Sequence, residues 1–437
     1  MKKYIVILAF FITGILQCGL LYAQSNLNNS AFFNGYLNNG SRIRTWDNYP
    51  VNPGTANQGA YQISGKNITL EAWVYPVGFP KSPPTDPIIQ RPYYNGQDPF
   101  FSYSLFVKNM GGYPQACFGI SNGTPGSMVE AVDPDTLPLF KWTHITGTYD
   151  GSNLRIYVNG VLKGQFATNI SISASGFGLV IGRFGTNRFQ GLIDEVRIWN
   201  IARNKSDITG DMNTELSGSE AGLAGYWKMN AINTENNAPV ILDQTSNHND
   251  LVVDGQTPIV PFSPTTSIGS PSYTFSPSSI NYGIVEQGSI AQSSLSFTNS
   301  SNYPLFGSLN TPNSNVQINQ GAIYVPPNST QNIPTSIIPQ IGNNISDNLN
   351  LLTNAGDTTS VPFTVSPISL RRFNANNISM WLQRDGRFAR NPLTGNAGLE
   401  WKAGSGNTAV FASGIWIGAK VSGSVRTAAA VYGTEFS

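Results

Sequence analysis

The feature that most constrains this chain is a two-residue alternation of apolar side chains, broken repeatedly by turn residues. Apolar residues occupy every second position from Leu154 to Val158, which is the pattern of a strand buried on one face. Asn159-Gly160 follows directly and predicts a type I′ turn into a second strand at Val161. Such patterns recur through most of the chain, whereas amphipathic helical periodicity is nearly absent. The sequence therefore predicts an all-β protein.

Length and composition narrow the possibilities further. At 437 residues the chain is too long for one core, so we expect two or three domains. Only 11% of the residues are charged, and Asn, Ser, Thr and Gly supply the polarity of a chain rich in turns. The formal net charge of +1 gives no general attraction to nucleic acid or to an anionic membrane. We therefore expect no nucleic-acid partner.

The N-terminus predicts a signal peptide over residues 1–23. Lys2 and Lys3 precede an apolar run from Tyr4 to Leu16, and the small Ala23 offers a cleavage site. The run is short for a spanning helix, which needs about 20 apolar residues. We therefore expect a secreted or cell-surface protein with no transmembrane segment in the mature chain.

The two cysteines do not predict a disulfide. Cleavage after Ala23 leaves Cys117 alone, and its apolar neighbours predict a buried strand thiol. Cys18 suggests a lipid anchor, but Gln17 stands before it where small residues are expected. We expect the sheets themselves to stabilise the protein.

Five motifs follow one another along the first half of the mature chain. They are Leu70-Glu71-Ala72-Trp73-Val74, Trp142 to Gly151, Leu154 to Gly160, Gly191 to Asn200 and Leu223 to Trp227. In this order they resemble the strands of laminin-G-like domains. The segment from Asp243 to Asp250 resembles the closing turn of these domains, with Asn247 where glycine is commoner. The resemblance covers residues 25–256 and implies a concanavalin A-like jelly roll, an antiparallel sandwich of two sheets.

Two structural expectations follow within this domain. The motif tryptophans Trp73, Trp142, Trp199 and Trp227 should mostly lie buried between the two sheets. A short helix should follow the fourth motif, with Asn204 or Ser206 as its N-cap.

Residues 76–101, rich in proline and aromatic residues, depart from the family pattern and predict an enlarged loop. This loop contains the predicted ligand site, formed by Tyr93, Tyr94, Asn95 and Asp98. Aromatic rings can pack against the apolar faces of sugars, and amides and carboxylates can pair with their hydroxyls. We therefore predict a polysaccharide or glycoprotein ligand. The alternative is that the loop covers a sheet face, with its phenylalanines in a satellite core.

The resemblance also implies a calcium site, because laminin-G-like domains often hold one Ca²⁺ at the sheet rim through carboxylate and carbonyl oxygens. Four turn residues are candidate ligands: Asp150, Asn153, Asp243 and Asp250. The alternative is that Asp150 and Asp243 cap their own turns through Asx hydrogen bonds.

The sequence carries no recognisable catalytic motif. Of its two histidines, we expect His144 to be packed in a strand and His248 to be solvated. A Gly-x-x-x-x-Gly-Lys-Ser/Thr loop does not occur. Hydrolases of this jelly roll pair two carboxylates with Glu-x-Asp-x-x-Glu spacing, and that pattern is missing as well.

Asp194-Glu195 is the nearest substitute for such a pair. Adjacent strand residues point to opposite faces, so we expect the two carboxylates not to act together. We expect Asp194 to be a structural carboxylate on the same face as Leu192, Val196 and Ile198. The chain is therefore not expected to be an enzyme.

The second half of the chain predicts further β domains. Residues 257–272 are rich in Pro, Ser and Thr and predict a linker. The motifs from Phe275 to Val285, Leu295 to Ser301 and Val361 to Val365 resemble an immunoglobulin-like domain of the ASPM/hydin type over residues 273–368. Residues 369–437 predict a β-rich, truncated segment.

Taken with the jelly roll, these features predict a secreted or cell-surface binding and adhesion protein of bacterial type. The alternatives are an architectural segment of a large envelope protein and, third, a polysaccharide-degrading enzyme.

Overall fold

The computed structural model describes residues 29–34, 42–45, 61–79, 85–93, 98–110, 113–255, 257–264, 269–318 and 321–368, and the backbone of three further strands between 378 and 411. The predicted signal peptide and most of residues 369–437 lie outside this set. Among the described residues the structure is almost entirely β, with one short helix. The all-β prediction is confirmed. No helix in the described ranges is long and apolar enough to cross a bilayer.

The first sandwich contains strands β1 to β19 and the helix α1. The strands are β1 (Ser30–Phe33), β2 (Arg42–Arg44), β3 (Ile68–Gly78), β4 (Thr85–Pro92), β5 (Phe101–Met110), β6 (Tyr113–Ile120), β7 (Val129–Val132), β8 (Thr143–Tyr149), β9 (Asn153–Val158), β10 (Val161–Ala167), β11 (Val180–Ile181), β12 (Arg183–Phe184), β13 (Asn187–Arg188), β14 (Gln190–Trp199), β15 (Leu223–Trp227), β16 (Asn233–Glu235), β17 (Ala238–Ile241), β18 (Leu251–Asp254) and β19 (Ile259–Val260). The helix α1 (Lys205–Asp211) lies between β14 and β15.

Two antiparallel sheets enclose the core of this sandwich. Sheet A has the order β10-β9-β8-β3-β14-β1-β19, and β15 also pairs with β14. Sheet B has the order β16-β17-β18-β2-β11-β4-β5-β6-β7, and β12 and β13 form a separate hairpin. Along β3, Leu70, Ala72 and Val74 enter the core. The intervening side chains lie on the opposite side of sheet A, which we call its outer face.

Local sequence signals account for the turn and the helix. Asn159 and Gly160 have φ angles of 49° and 72° between β9 and β10, as a type I′ turn requires. Asn204 is the N-cap of α1: its side chain accepts a hydrogen bond from the Asp207 N–H, and the Asp207 side chain bonds back to the cap in a capping box. Both predictions are confirmed, and Ile208 anchors the helix by its buried side chain.

The predicted loop over residues 76–101 is wrong in its central part. Strand β4 crosses this stretch and pairs with β5 and β11. Prolines lack the N–H of a strand ladder and are tolerated at bulges. The β4–β5 register shifts next to Pro87 and again at Pro92, so the ladder accommodates both residues.

The prediction for the tryptophans is also wrong for most of them. Trp227 lies in the core between the sheets, and Trp199 is buried in a small cluster on the other side of sheet A. Trp73 and Trp142 are half-buried on the outer face. Trp73 alternates with the core residues Ala72 and Val74, so it cannot share their face.

A second sandwich follows, with its own core. Its strands are β20 (Tyr273–Ser276), β21 (Ile280–Glu286), β22 (Ala291–Asn299), β23 (Leu305–Asn310), β24 (Val316–Ile318), β25 (Ile323–Val325), β26 (Ser329–Pro339), β27 (Ile345–Thr353) and β28 (Thr358–Ile368). One sheet has the order β20-β22-β26-β24 and the other β21-β28-β27-β23-β25. The β21–β28 pair is parallel. Beyond it, β29 (Ile378–Met380), β30 (Glu400–Ala403) and β31 (Ala409–Phe411) form a small sheet.

Aromatic side chains of the two sandwiches pack against each other. The first part of the predicted linker adds β19 to sheet A and buries Phe262. We use the name junction cluster for Phe32, Tyr75, Phe262, Phe306 and Tyr324. The rings of Tyr75 and Phe262 lie 5.0 Å apart, and Phe306 of the second sandwich lies 5.6 Å from each. The second sandwich therefore covers one part of the outer face of sheet A.

Candidate functional site

Another part of the outer face is covered by residues 200–222, which contain α1 and which we call the strap. The indole N–H of Trp73 donates to the Met212 carbonyl at 2.7 Å. Arg197 of β14 donates to the carbonyls of Asp211 and Thr214 at 3.0 and 2.6 Å. These directional bonds reach the strap from the sheet side, so they fix its position on sheet A.

Under the strap lies a buried cluster of charged side chains around Glu71 of β3, whose side chain is 0% exposed. Arg203 donates to Oε1 of Glu71 at 2.9 Å and also pairs with Asp211. Nε2 of His144 lies 3.5 Å from Oε2 of Glu71, and Arg197 lies 3.9 Å from the same oxygen. Arg197 and Arg203 compensate the negative charge of Glu71, which would otherwise be costly to bury.

The titration of this cluster follows from burial and charge. Burial alone would raise the pKa of Glu71, but contact with His144 and the charges of Arg197 and Arg203 outweigh it and lower the pKa to about 2. Burial lowers the pKa of His144, against the pull of Glu71. The expected packing of His144 in a strand is confirmed, and at neutral pH it is an uncharged partner of an ionised Glu71.

A β-bulge in β14 shapes the neighbouring surface. Asp194 pairs with Trp73 of β3, and the next pair in the ladder is Arg197 with Glu71. Two residues of β14 therefore oppose one residue of β3, and the first of the two, Glu195, has a φ of 51°. Bulges of this kind redirect side chains next to binding sites.

The bulge overturns the predicted orientation of Asp194. We expected Asp194 to share a face with Val196 and Ile198 and to point away from Glu195. Instead Val196 and Ile198 enter the core, whereas Asp194 and Glu195 line one pocket on the outer face. The extra residue changes the parity of the strand, so the simple alternation fails beyond it.

This pocket, with a volume of about 240 Å³, is the candidate functional site. Sheet A contributes Trp73, Asp194 and Glu195, the strap contributes Met212, Asn213, Thr214 and Glu215, and the segments after β15 and β19 contribute Asn230, Ser263 and Pro264. The pocket thus combines an aromatic side chain, carboxylates and exposed amide and hydroxyl groups at one place. Such a mixture of one apolar surface and a few convergent polar groups is typical of small-ligand sites.

Asp194 is the most unusual group in the pocket, because it is 3% exposed and has no cationic hydrogen-bond partner among the described residues. Its Oδ1 accepts a hydrogen bond from the Glu195 N–H at 2.9 Å. No described residue donates to Oδ2, the oxygen left for the pocket. Burial, and next the charge of Glu195, raise the pKa of Asp194 well above its usual value.

The other two carboxylates of the pocket are already engaged. Oε2 of Glu195 accepts from Arg197 and from the Tyr226 hydroxyl, each at 2.6 Å. Glu215 accepts from Lys228 at 2.8 Å and from Asn230 at 3.2 Å. Among the described residues, Asp194 is therefore the carboxylate of the pocket that has no cationic partner.

The predicted ligand site lies elsewhere, and the structure describes only part of it. The Tyr93 hydroxyl donates to the Ser173 carbonyl at 2.8 Å, and Asp98 accepts from the Gly126 N–H. Phe101, which follows them, packs in a small cluster with Phe106 and Cys117. Tyr94 and Asn95 lie outside the described residues. The ligand-binding role of this segment stays a prediction.

The four predicted calcium ligands lie in two separate turns. Oδ1 of Asp150 accepts from the N–H groups of Ser152 and Asn153, and Oδ2 accepts from Arg155 at 2.6 Å. The side-chain oxygen of Asn153 accepts from Gln165 at 2.9 Å. These contacts have the form of an Asx-capped turn.

The second turn contains Asp243 and Asp250. The carboxylate of Asp243 accepts from the N–H groups of Tyr226, Thr245 and Asn249, and the Asp243 N–H donates to Asp250 at 2.6 Å. In the part of the chain that the structure describes, no three His, Cys, Asp or Glu residues are grouped to hold a metal ion. The calcium site stays a prediction. His248 is exposed in this turn, as expected.

The chain also resembles known proteins in sequence. Residues 52–209 match the Laminin_G_3 family, described as the concanavalin A-like lectin/glucanases superfamily. A stretch of 83 residues is 31% identical to mouse pappalysin-1, and covers 17% of this chain and 5% of that protein.

Among solved structures, a putative carbohydrate binding protein from Bacteroides ovatus is 22% identical, with a TM-score of 0.39 over 54% of this chain and 60% of that one. A heptameric SAP-like pentraxin from Limulus polyphemus is 14% identical, with a TM-score of 0.35 over 53% of this chain and 94% of that one. The stretch that matches this family model, residues 52–209, lies within the first sandwich, and its described strands pair in the two antiparallel sheets.

Proposed function

We propose that this protein binds carbohydrate and that one sugar residue occupies the pocket between the strap and sheet A. The observation that carries the proposal is the free Oδ2 of the buried Asp194 beside the ring of Trp73. A sugar has an apolar face for the ring and hydroxyl donors for the oxygen. The exposed Asn213 and Thr214 offer further hydrogen bonds at the rim.

The size of the pocket fits this ligand class. Sites for drug-sized ligands have volumes of roughly 300–1,000 Å³, and this pocket has about 240 Å³. It therefore suits a single sugar ring at the end or side of a longer glycan. The remainder of a polysaccharide or glycoprotein glycan would extend along the exposed strap.

We propose binding rather than catalysis. Glycoside hydrolysis needs two available carboxyl groups on opposite sides of the scissile bond. In this pocket Glu195 is held by Arg197 and Tyr226, and Glu215 is held by Lys228. One free carboxyl group suits recognition.

We also propose a cellular location for the protein and roles for its other parts. We infer export by the N-terminal signal peptide and a role at the bacterial cell surface in adhesion. In this proposal the second sandwich is an immunoglobulin-like spacer of the ASPM/hydin type, and calcium bound by Asp150 or Asp243 stabilises the jelly roll. If a chelator leaves the melting curve of the full chain unchanged, the proposed calcium site is contradicted.

A glycan array with the full chain tests the proposed carbohydrate binding. A glycan selected on the array is then titrated into variants of the pocket. Asn213→Ala should weaken binding by about fivefold, the worth of one neutral hydrogen bond. Asn200→Ala is the matched control, because Asn200 is exposed on the same strap but does not line the pocket. Equal affinities for the two variants would remove the pocket as the site.

A second candidate function is architectural, and the junction cluster favours it. The packing of five aromatic side chains between the sandwiches would suit a rigid segment of a larger envelope protein. Under this alternative, no glycan on the array binds in a way that depends on Asn213.

A further inference from the structure

The pocket has a charge imbalance. Asp194 faces Glu195 and Arg197 of its own strand and Glu215 of the strap. Arg197 is bonded to Glu195, and Lys228, which approaches from the end of β15, is bonded to Glu215. Trp73 of β3 and the segment Ser263-Pro264 bring no charge. The positive groups around the pocket are thus bonded to other carboxylates.

A ligand that carries a positive charge would correct this imbalance. A hydroxyl group donates one hydrogen bond to a carboxylate, whereas an ammonium group also compensates its charge, and such charge-assisted bonds are about twice as strong. A metal ion fits less well, because it needs several oxygen ligands and the described residues include no group of three His, Cys, Asp or Glu side chains that could hold one. A single ammonium group needs only one free carboxylate.

We propose that the pocket selects amino sugars with a free ammonium group, which contacts Oδ2 of Asp194 while the ring lies against Trp73. This inference rests on the proposed carbohydrate-binding function and names the sugar class. N-acetylation removes the charge and adds bulk, so an N-acetylated glycan is the disfavoured counterpart.

Binding of an ammonium group to Asp194 should depend on pH. The raised pKa of Asp194 means that the empty pocket keeps its carboxyl group protonated to a higher pH than usual. An ammonium ligand requires the ionised form, so binding displaces one proton. Affinity for a cationic sugar should therefore rise with pH, by at most tenfold per pH unit, until Asp194 is ionised in the empty pocket.

The test uses the full chain and two probes, the β-1,4-linked hexasaccharides of glucosamine and of N-acetylglucosamine. Calorimetric titrations between about pH 4 and pH 6 keep the amine protonated. At the upper pH, the glucosamine hexasaccharide should bind at least about tenfold more tightly than the N-acetylglucosamine hexasaccharide. Only the affinity for the glucosamine hexasaccharide should rise with pH. Asp194→Asn should abolish the rise, and Asp135→Asn, on an exposed residue outside the pocket, should preserve it.

Each other outcome overturns the inference. Equal affinity for the two hexasaccharides, or the same pH dependence for both, removes the selection for amino sugars, and this comparison needs no variant. If a chelator abolishes binding, a metal ion and not an ammonium group contacts Oδ2 of Asp194. If neither probe binds, the amino-sugar inference fails, while an array-selected glycan that depends on Asn213 would leave the carbohydrate-binding proposal standing.

Discussion

The outer face of sheet A carries two surfaces of opposite chemistry on the same strands. Along β3, Glu71 and Trp73 lie under the strap, whereas Tyr75 and Val77 lie under the second sandwich. β14 makes the same change, from Arg197 at the strap to Leu192, which packs with the junction cluster. A single alternating strand therefore meets a polar cover at one end and an apolar cover at the other.

The difference shows how the two covers are held. The strap is a single short segment, and it is fixed by directional bonds from Arg197, Arg203 and Trp73. The second sandwich has a core of its own and is fixed by non-directional burial of aromatic rings. The pocket lies between these covers, lined by strap residues on one side and Ser263-Pro264 on the other.

The largest expected effect comes from the polar side. Glu71→Gln leaves Arg197 and Arg203 without their shared carboxylate, and breaking such a buried pair costs about 3–5 kcal/mol. Chemical denaturation of the first sandwich should report this loss. Glu130→Gln is the matched control, because Glu130 pairs with Lys108 near the surface and should cost at most about 1 kcal/mol. Similar losses for both variants would contradict the account of the strap.

The same residue predicts an acid dependence. Because its pKa in the folded state is lowered from 4.5 to about 2, Glu71 contributes stability that is present above pH 4.5 and lost as the pH falls toward 2. His144, whose pKa is also lowered, adds a loss as the pH falls through 6.5. The melting temperature of the parent should fall more steeply over the acid range than that of Glu71→Gln.

On the apolar side, Phe306→Ala should loosen the junction and leave both cores intact. Truncating a buried phenylalanine costs about 3–5 kcal/mol in a core, and we expect about 3 kcal/mol at this interface. Calorimetry should then resolve two unfolding transitions with a wider gap than in the parent. Ile284→Ala, at a residue 76% exposed in the second sandwich, should change stability by less than about 0.5 kcal/mol. An unchanged profile for Phe306→Ala would show that the junction is not stabilising.

The smallest effect on stability is expected at Asp194, in the pocket between the two covers. There, substitution should stabilise the protein. The raised pKa of Asp194 means that its burial destabilises the empty protein increasingly as the pH rises above 3.8. Asp194→Asn should therefore raise the melting temperature at pH 7, by about 2–4 °C for each kcal/mol gained, and the gain should vanish below pH 3.8. A lower melting temperature at pH 7 would mean that Asp194 has a stabilising partner.

Local patterns in the sequence were sufficient for much of the fold. The alternation around Ile156, the Asn159-Gly160 turn and the cap at Asn204 each depend on neighbours in the chain, and each is observed. Prolines misled the prediction over residues 76–101, because bulges absorb Pro87 and Pro92 within β4.

The pocket could not be predicted in the same way. Glu195 is not a glycine, so nothing local indicated its positive φ or the bulge that brings it beside Asp194. The pocket also needs Asn213 and Asn230, which only the tertiary fold brings near β14. The outward positions of Trp73 and Trp142 could not be predicted for a similar reason. Strand alternation does not indicate which face of a sheet packs against a second cover.

A crystal structure of the full chain with an array-selected glycan would show directly which surface binds the sugar. We expect a sugar ring against Trp73, with a hydroxyl or ammonium group about 2.7–3.2 Å from Oδ2 of Asp194. A glycan bound instead at Tyr93 and Asp98, with the pocket empty, would contradict it.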